Sequence, residues 1–254
     1  MEITAIHIIA LLIAGLVSGF VNTVAGGGSF LTLAALDFAG LDLLMANGTN
    51  RVAVEIQTLV GVAGFRSKGV SDVRKSLHFA IPALIGAILG AYLITNVDRT
   101  FFSRLMGVAM IVMLVILIVN PKKWLHGREV VFNSNRKLIA YATFFGIGLY
   151  GGAIQAGVGF LLITALVLVA GFDLVNTNSH KVFIIGTYTL FALATFALRG
   201  QVNWVLGLVL GIGDGAGAWI ASRMSVDRGN RFVRIGLGLT LAILSVRYLG
   251  LVQF

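Results

Sequence analysis

Cysteine is absent from the 254 residues, which excludes disulfides and thiolate metal sites. Proline occurs only twice, so long helices can run with few forced stops. Charge is scarce at 11%, where a soluble domain carries about 25%. The four histidines, His7, His78, His126 and His180, are scattered without metal-ligand spacing, so neither a metal nor another cofactor is expected. No serine or threonine has an evident His and Asp partner for nucleophilic catalysis. The chain is not expected to be an enzyme.

What is present is apolar. Hydrophobic residues make up 58%, the mean hydropathy is +0.96, and several runs approach the ~20 residues needed to cross a bilayer. The pattern predicts an all-α polytopic membrane protein, multi-pass in the cell (inner) membrane. Thirty-two glycines suit close helix–helix contact in lipid. The net charge of +9 has two readings, nucleic-acid binding or cytoplasmic loop anchors, and the anchors fit this composition better. No nucleic-acid partner is expected. The first run, Ile3–Val24, lacks a cationic start and a small-residue cleavage site, and reads as a span rather than a signal peptide.

Three consecutive glycines interrupt this pattern. Gly26, Gly27 and Gly28 stand between apolar runs, and glycine costs roughly 1 kcal/mol per residue inside a helix. They predict a broken helix, with Ser29 as the N-cap of the next. They are not a phosphate loop, because strand context and a lysine are missing. A break inside the membrane is tolerated only where it is buried or lines a polar cavity. Ala156-Gly157-Val158-Gly159-Phe160-Leu161-Leu162 repeats Ala25–Leu31 at an offset of 131. The register continues without a gap. Gly171-Phe172-Asp173-Leu174 matches Gly40-Leu41-Asp42-Leu43, Asn178 matches Asn47, and Lys181 falls opposite Asn50. This indicates an internal duplication. It divides the chain into an N-terminal transmembrane repeat (1–120), a cytoplasmic linker (121–137) and a C-terminal transmembrane repeat (138–254).

Orientation follows from Lys and Arg, which concentrate in the loops 66–75, 122–137 and 223–234. All three fall on one side if each broken pair returns to the side it entered from. The positive-inside rule then places them in the cytoplasm. Each half becomes a broken or short helix pair plus three transmembrane helices. The two halves become inverted repeats, as in many secondary transporters. Whether each pair is a re-entrant hairpin or two full short spans is open at this level.

Two helix starts facing one cavity favour an anion, because a helix N-terminus carries about half a positive charge. The helices are expected to begin at Ser29 and Phe160. Beside them lie Asn47, Asn50 and Arg51 in one half and Gln155, Asn178, His180 and Lys181 in the other. Asn47 and Asn178 read as helix caps or as ligands. Lys181 reads as a substrate contact or as an interfacial anchor. His180 reads as a proton relay or as a satisfied polar group. Glu55 and Asp214 are ionisable residues in apolar runs and so functional candidates. Glu55 stands four residues after Arg51, which makes an intrahelical ion pair the plainer alternative. Asp214, among glycines, reads as the cap of a kink. Gln57 and Tyr188 are further groups that could face the cavity.

These segments resemble a known family. Gly19–Thr32 is similar to the N-terminal signature of the TauE/SafE sulfite exporter family, and Asn47-Gly48-Thr49-Asn50-Arg51 to its second signature. The repeats at Ala156–Gly159 and Asn178–Lys181 are similar too. The resemblance implies transport of sulfur-containing anions such as sulfite or organosulfonates, with proton coupling in some members. The breaks and the polar groups beside them give the expected substrate site: Gly26, Gly27, Gly28, Ser29, Asn47, Asn50, Arg51, Gln155, Gly157, Gly159, Asn178, His180 and Lys181. A carrier of other organic (carboxylate) anions and an anion channel are the competing expectations. The partners are then a small anionic substrate and the lipid bilayer.

Overall fold

The structure, a computed structural model, describes residues 4–98, 100–102, 104–106, 108 and 134–248. The expected span Leu105–Val119 lies largely outside them, as does the linker up to residue 133. Among the described residues the chain is helical, without strands. The helices are α1 (Ala5–Val24), α2 (Ser29–Phe38), α3 (Leu43–Arg66), α4 (Val73–Ile94), α5 (Ser134–Ala153), α6 (Val158–Leu168), α7 (Leu174–Leu198) and α8 (Trp204–Tyr248). Four stretches are long and apolar enough to cross a bilayer: Ala5–Val24, Arg74–Ile94, Leu174–Leu198 and Trp204–Gly229. The expected multi-pass helical architecture is observed.

Local chemistry sets the helix starts. Asp42 caps α3 by accepting from the Leu44 and Met45 amides, each at 3.1 Å. Asp173 caps α7 by accepting from Val175 and Asn176 at 3.0 and 3.1 Å. Each cap contributes about 1 kcal/mol. The glycine two residues earlier, Gly40 or Gly171, takes the left-handed conformation that ends the preceding short helix. The caps are therefore these aspartates. Asn47 and Asn178, expected as caps, lie inside α3 and α7. Asp214 caps no kink either. It sits in continuous helix, and α8 bends instead at Gly229 (φ 67).

Glycines fix the direction of packing. A Cβ on Gly15 would lie 2.4 Å from the Leu210 carbonyl oxygen, and one on Gly217 would lie 2.1 Å from that of Leu16. Residue numbers rise together along both helices, so α1 and α8 are parallel. The same holds for α4 and α5, where Gly86 meets Phe145 and Gly90 meets Leu149. It holds again for α3 and α8, where Gly207 meets Val52, Gly211 meets Ile56 and Gly64 meets Ser222. Between α3 and α7 the order reverses: Gly61 meets Val182 while Gly186 meets Thr58. These two helices are antiparallel.

The directions place the ends. The helices α1 and α3 both start on one face. The short helix α2 has 10 residues, about 15 Å at 1.5 Å per residue, roughly half the hydrocarbon thickness. The α1–α2 pair is therefore a hairpin whose returning arm is short. The pair α5–α6 does the same from the opposite face, because α5 runs with α4. The basic ends collect on that opposite face, where Lys68 pairs with Asp227 at 2.6 Å and Arg223 donates to Ser67 at 3.3 Å. The helices sort into two groups: α1, α2, α3 with α8, and α5, α6, α7 with α4. The α3–α7 crossing supplies most of the packing between the groups.

Candidate functional site

The first break begins where the Gly26 amide bonds back to the Val21 carbonyl and Gly26 turns left-handed (φ 92). Ser29 is not the N-cap of α2. Gly28 holds that position, and its amide donates to Asn22 Oδ1 at 2.7 Å. Asn22 thus caps α2 from the preceding helix. Its Nδ2 donates to Ser29 Oγ at 3.2 Å and to Gln57 Oε1 at 3.1 Å. One amide ties both sides of the break to α3.

The second break turns at Gln155 (φ 65) and Gly157 (φ 74). Gln155 is the non-glycine residue held at positive φ among the described residues. Such a conformation costs roughly 1–3 kcal/mol and marks sites where the surroundings impose it. The Gln155 side chain accepts from Arg51 at Oε1, at 3.3 Å. The helix α6 starts at Val158, two residues before the expected Phe160.

The two breaks touch. A Cβ on Gly26 would lie 2.5 Å from the Gly159 carbonyl carbon, and one on Gly159 would lie 2.4 Å from Gly26 Cα. Beside this contact is a cavity of about 10 Å³, whose polar lining is Asn22, Ser29, Gln57 and Gln155. That is room for about one water. The starts of α2 and α6 flank it, and no acidic side chain lines it.

Two buried cations secure the ends of the broken helices. Lys181 Nζ donates to the Asn22 carbonyl (2.8 Å), the Thr23 carbonyl (2.9 Å) and Asn178 Oδ1 (2.7 Å). All three of its protons are engaged at the C-terminus of α1. Arg51 does the same for α5, donating to the Gly151 carbonyl at 3.2 Å and the Gly152 carbonyl at 2.6 Å. Cations belong at helix C-termini, where the dipole is negative. The asparagines act alongside: Asn47 donates to the Ala153 carbonyl at 2.8 Å and Asn178 to the Val24 carbonyl at 3.0 Å. The third helix of each half thus holds the break of the other half. Because Arg51 reaches across, the expected Arg51–Glu55 ion pair is not formed.

Gly26, Ser29, Gln155 and Gly159 line the cavity, with Gly27, Gly28 and Gly157 in the breaks that bound it. Asn47, Arg51, Asn178 and Lys181 stand behind it. Asn50 is fully buried, with neither amide atom hydrogen-bonded. His180 is not at the cavity lining. Its Nδ1 meets Ser76 Oγ at 2.7 Å and its ring packs on Phe172 at 4.1 Å. Tyr188 lies fully buried beside Arg51 and Gln155. Asp214 is fully buried against Ser18 of α1, away from the cavity lining. Sequence reasoning missed Asn22. Its signal is a lone amide in an apolar run, six residues before Gly28, the right reach to cap the next helix.

The family model for "Sulfite exporter TauE/SafE" matches residues 11–248. The chain belongs to the TauE/SafE family. Both glycine breaks and both cation clamps fall within the matched residues. Similar proteins share this breadth. A probable membrane transporter protein, ORF9, of Sinorhizobium sp is 26% identical over 98% of this chain and 95% of its own length. The probable membrane transporter protein YfcA of Escherichia coli K12 is 27% identical over 94% and 88%. One from Haemophilus influenzae is 27% identical over 87% and 86%. No solved structure matches the chain. The chain is a multi-pass membrane transporter of this family.

Proposed function

We propose that the chain is a secondary transporter, an exporter of small sulfur oxyanions such as sulfite or organosulfonates. The observation that carries this reading is the meeting of two breaks at Gly26 and Gly159, beside a polar cavity flanked by two helix starts. Helix N-termini bind anions through their free amides. The lining adds neutral amides and a hydroxyl, which suit an oxyanion's acceptor oxygens. A cavity of about 10 Å³ is too small for an oxyanion, so this conformation is closed. Transport requires the Gly26–Gly159 contact to open alternately to each face.

In this reading the two halves are inverted repeats. The antiparallel α3 and α7 and the opposite entry of the two hairpins support it, as does the offset of 131. Lys and Arg place the 66–75 and 223–229 end in the cytoplasm. Ser71→Cys and Asp227→Cys are expected to react with an impermeant thiol reagent from the cytoplasmic side only, and Asn96→Cys from the other side. Labelling of Ser71→Cys and Asp227→Cys from opposite sides rules out the inversion.

Purified protein in liposomes is expected to take up labelled sulfite or a sulfonate saturably, and faster when a pH gradient drives it. Uptake of carboxylates alone would move the assignment to an organic-anion carrier. Unsaturable flux that ignores the gradient would make the chain an anion channel.

A further inference from the structure

The outer surface of α4 and α5 carries a second site, unrelated to the central cavity. Because these helices run parallel, their starts lie side by side on the basic face. Two adjoining grooves open there, with volumes of about 360 and 610 Å³, and they share His78 and Tyr141. The upper rim is basic: Arg74, Lys75, His78 and Lys137. The floor below is apolar and built on Leu77, Ile81, Pro82 and Ile85. Ile81 and Ile85 remain 55% and 58% exposed, so the described residues do not fill the groove.

The charges are not spent on one another. Asp72 takes up Lys75, with a 3.2 Å ion pair. Arg74 and Lys137 have no acidic partner among the described residues. The His78 Nδ1–H donates to the Arg74 carbonyl at 3.0 Å. Ile81 and Ile85 stand one and two turns deeper along the span Arg74–Ile94.

We propose that this groove is a binding site for an anionic phospholipid, with the phosphate at Arg74 and Lys137 and an acyl chain along Ile81 and Ile85. The argument is one of complementarity. The floor belongs to a membrane-spanning surface, so its occupant must be as apolar as a lipid tail. The rim lies at the interface and carries excess positive charge, so the head must be anionic. Basic pockets between membrane helices recognise anionic headgroups in this way. A lone lysine at an interface snorkels to any headgroup. Two cations from adjacent helices, without an acidic partner among the described residues and above a groove a chain can occupy, define a place. The site is independent of the transport reading.

The test uses the full chain purified in detergent, with phosphatidylglycerol and phosphatidylcholine offered at equal concentration. Native mass spectrometry is expected to show phosphatidylglycerol retained at least tenfold over phosphatidylcholine. Arg74→Gln combined with Lys137→Gln is expected to remove that preference, and Ile85→Trp, which fills the floor, to lower retention of both lipids. Lys137→Gln alone is the fallback if the double variant does not fold, and should lose about half of the preference. Equal retention of the two lipids by the unaltered chain overturns the proposal. So does an unaltered preference in the folded charge variant. Displacement of the lipid by inorganic phosphate would reassign the rim to free anions. Dimers that form through Ile81 and Ile85 in place of lipid would assign the floor to a second copy. Either outcome rejects the lipid site.

Discussion

Gly159→Val is expected to reduce uptake to background while leaving the protein in the membrane. Gly159 is the second residue of α6 and has ordinary helical geometry, so a side chain meets no backbone strain of its own. The obstacle is steric. A Cβ there lies 2.4 Å from Gly26 Cα and 2.7 Å from the Gly26 carbonyl oxygen. Those are backbone atoms, so no rotamer change relieves the clash, and the two breaks must part. Overpacking of this kind costs about 1–3 kcal/mol, too little to stop insertion of a polytopic chain. It displaces the starts of α2 and α6, which the proposed site uses. Gly146→Ala is the control. Nothing lies within 4 Å of a Cβ at that position, and the added methyl favours helix. Transport by the Gly146 variant should match the unaltered chain. Normal uptake kinetics in Gly159→Val would show that the contact between the breaks is mere packing.

Lys181→Ala is expected to cost both stability and affinity. The substitution removes three hydrogen bonds at once and leaves the Asn22 and Thr23 carbonyls and Asn178 Oδ1 without their shared donor. Leaving buried acceptors without their donor costs about 1–3 kcal/mol. For a chain of this size that is a fall of roughly 5 °C in the unfolding midpoint. Affinity falls for a related reason. The end of α1 carries Asn22, and Asn22 caps α2 at the cavity. Loosening α1 moves the amide that would meet the substrate, and a loss of about tenfold in the sulfite dissociation constant corresponds to about 1.4 kcal/mol. Calorimetric titration and thermal unfolding of the same preparation check both effects. A lower affinity at an unaltered midpoint would mean that Lys181 touches the substrate directly. If neither quantity changed, Lys181 would be only an anchor.

Much of this arrangement was legible in the chain. The breaks follow from Gly26–Gly28 and Gly157, because glycine runs disfavour helix regardless of tertiary context. The duplication is a matter of register, and the gathering of basic ends on one face follows from membrane energetics. What escaped was decided by contacts across the halves. Asn47 and Asn178 resemble caps locally, yet their amides reach carbonyls more than a hundred residues away. Arg51 and Glu55 have ideal spacing for an ion pair, but the open carbonyls at the end of α5 make a better partner for the guanidinium. Spacing along one helix cannot reveal a competing acceptor on another. His180 and Lys181 are neighbours in sequence but not in surroundings. Adjacent helical residues point about 100° apart, and here one meets the break while the other meets α4.

The exchange of α4 and α8 between the two groups bears on how the protein is made. The helices α1 and α3 find their main partner in α8, which begins at Trp204, near the end of synthesis. The fourth helix, α4, finds its own in α5 and α7. An emerging N-terminal half thus has no completed bundle to fold into. It must wait in the membrane with the glycine faces of α1 and α3 uncovered and Arg51 without the α5 carbonyls. At about 5–20 residues per second, the wait from the end of α3 to the end of the α8 span is some tens of seconds at the slow end. Until α5 is made, the insertion machinery or lipid must also shield a guanidinium destined for the interior.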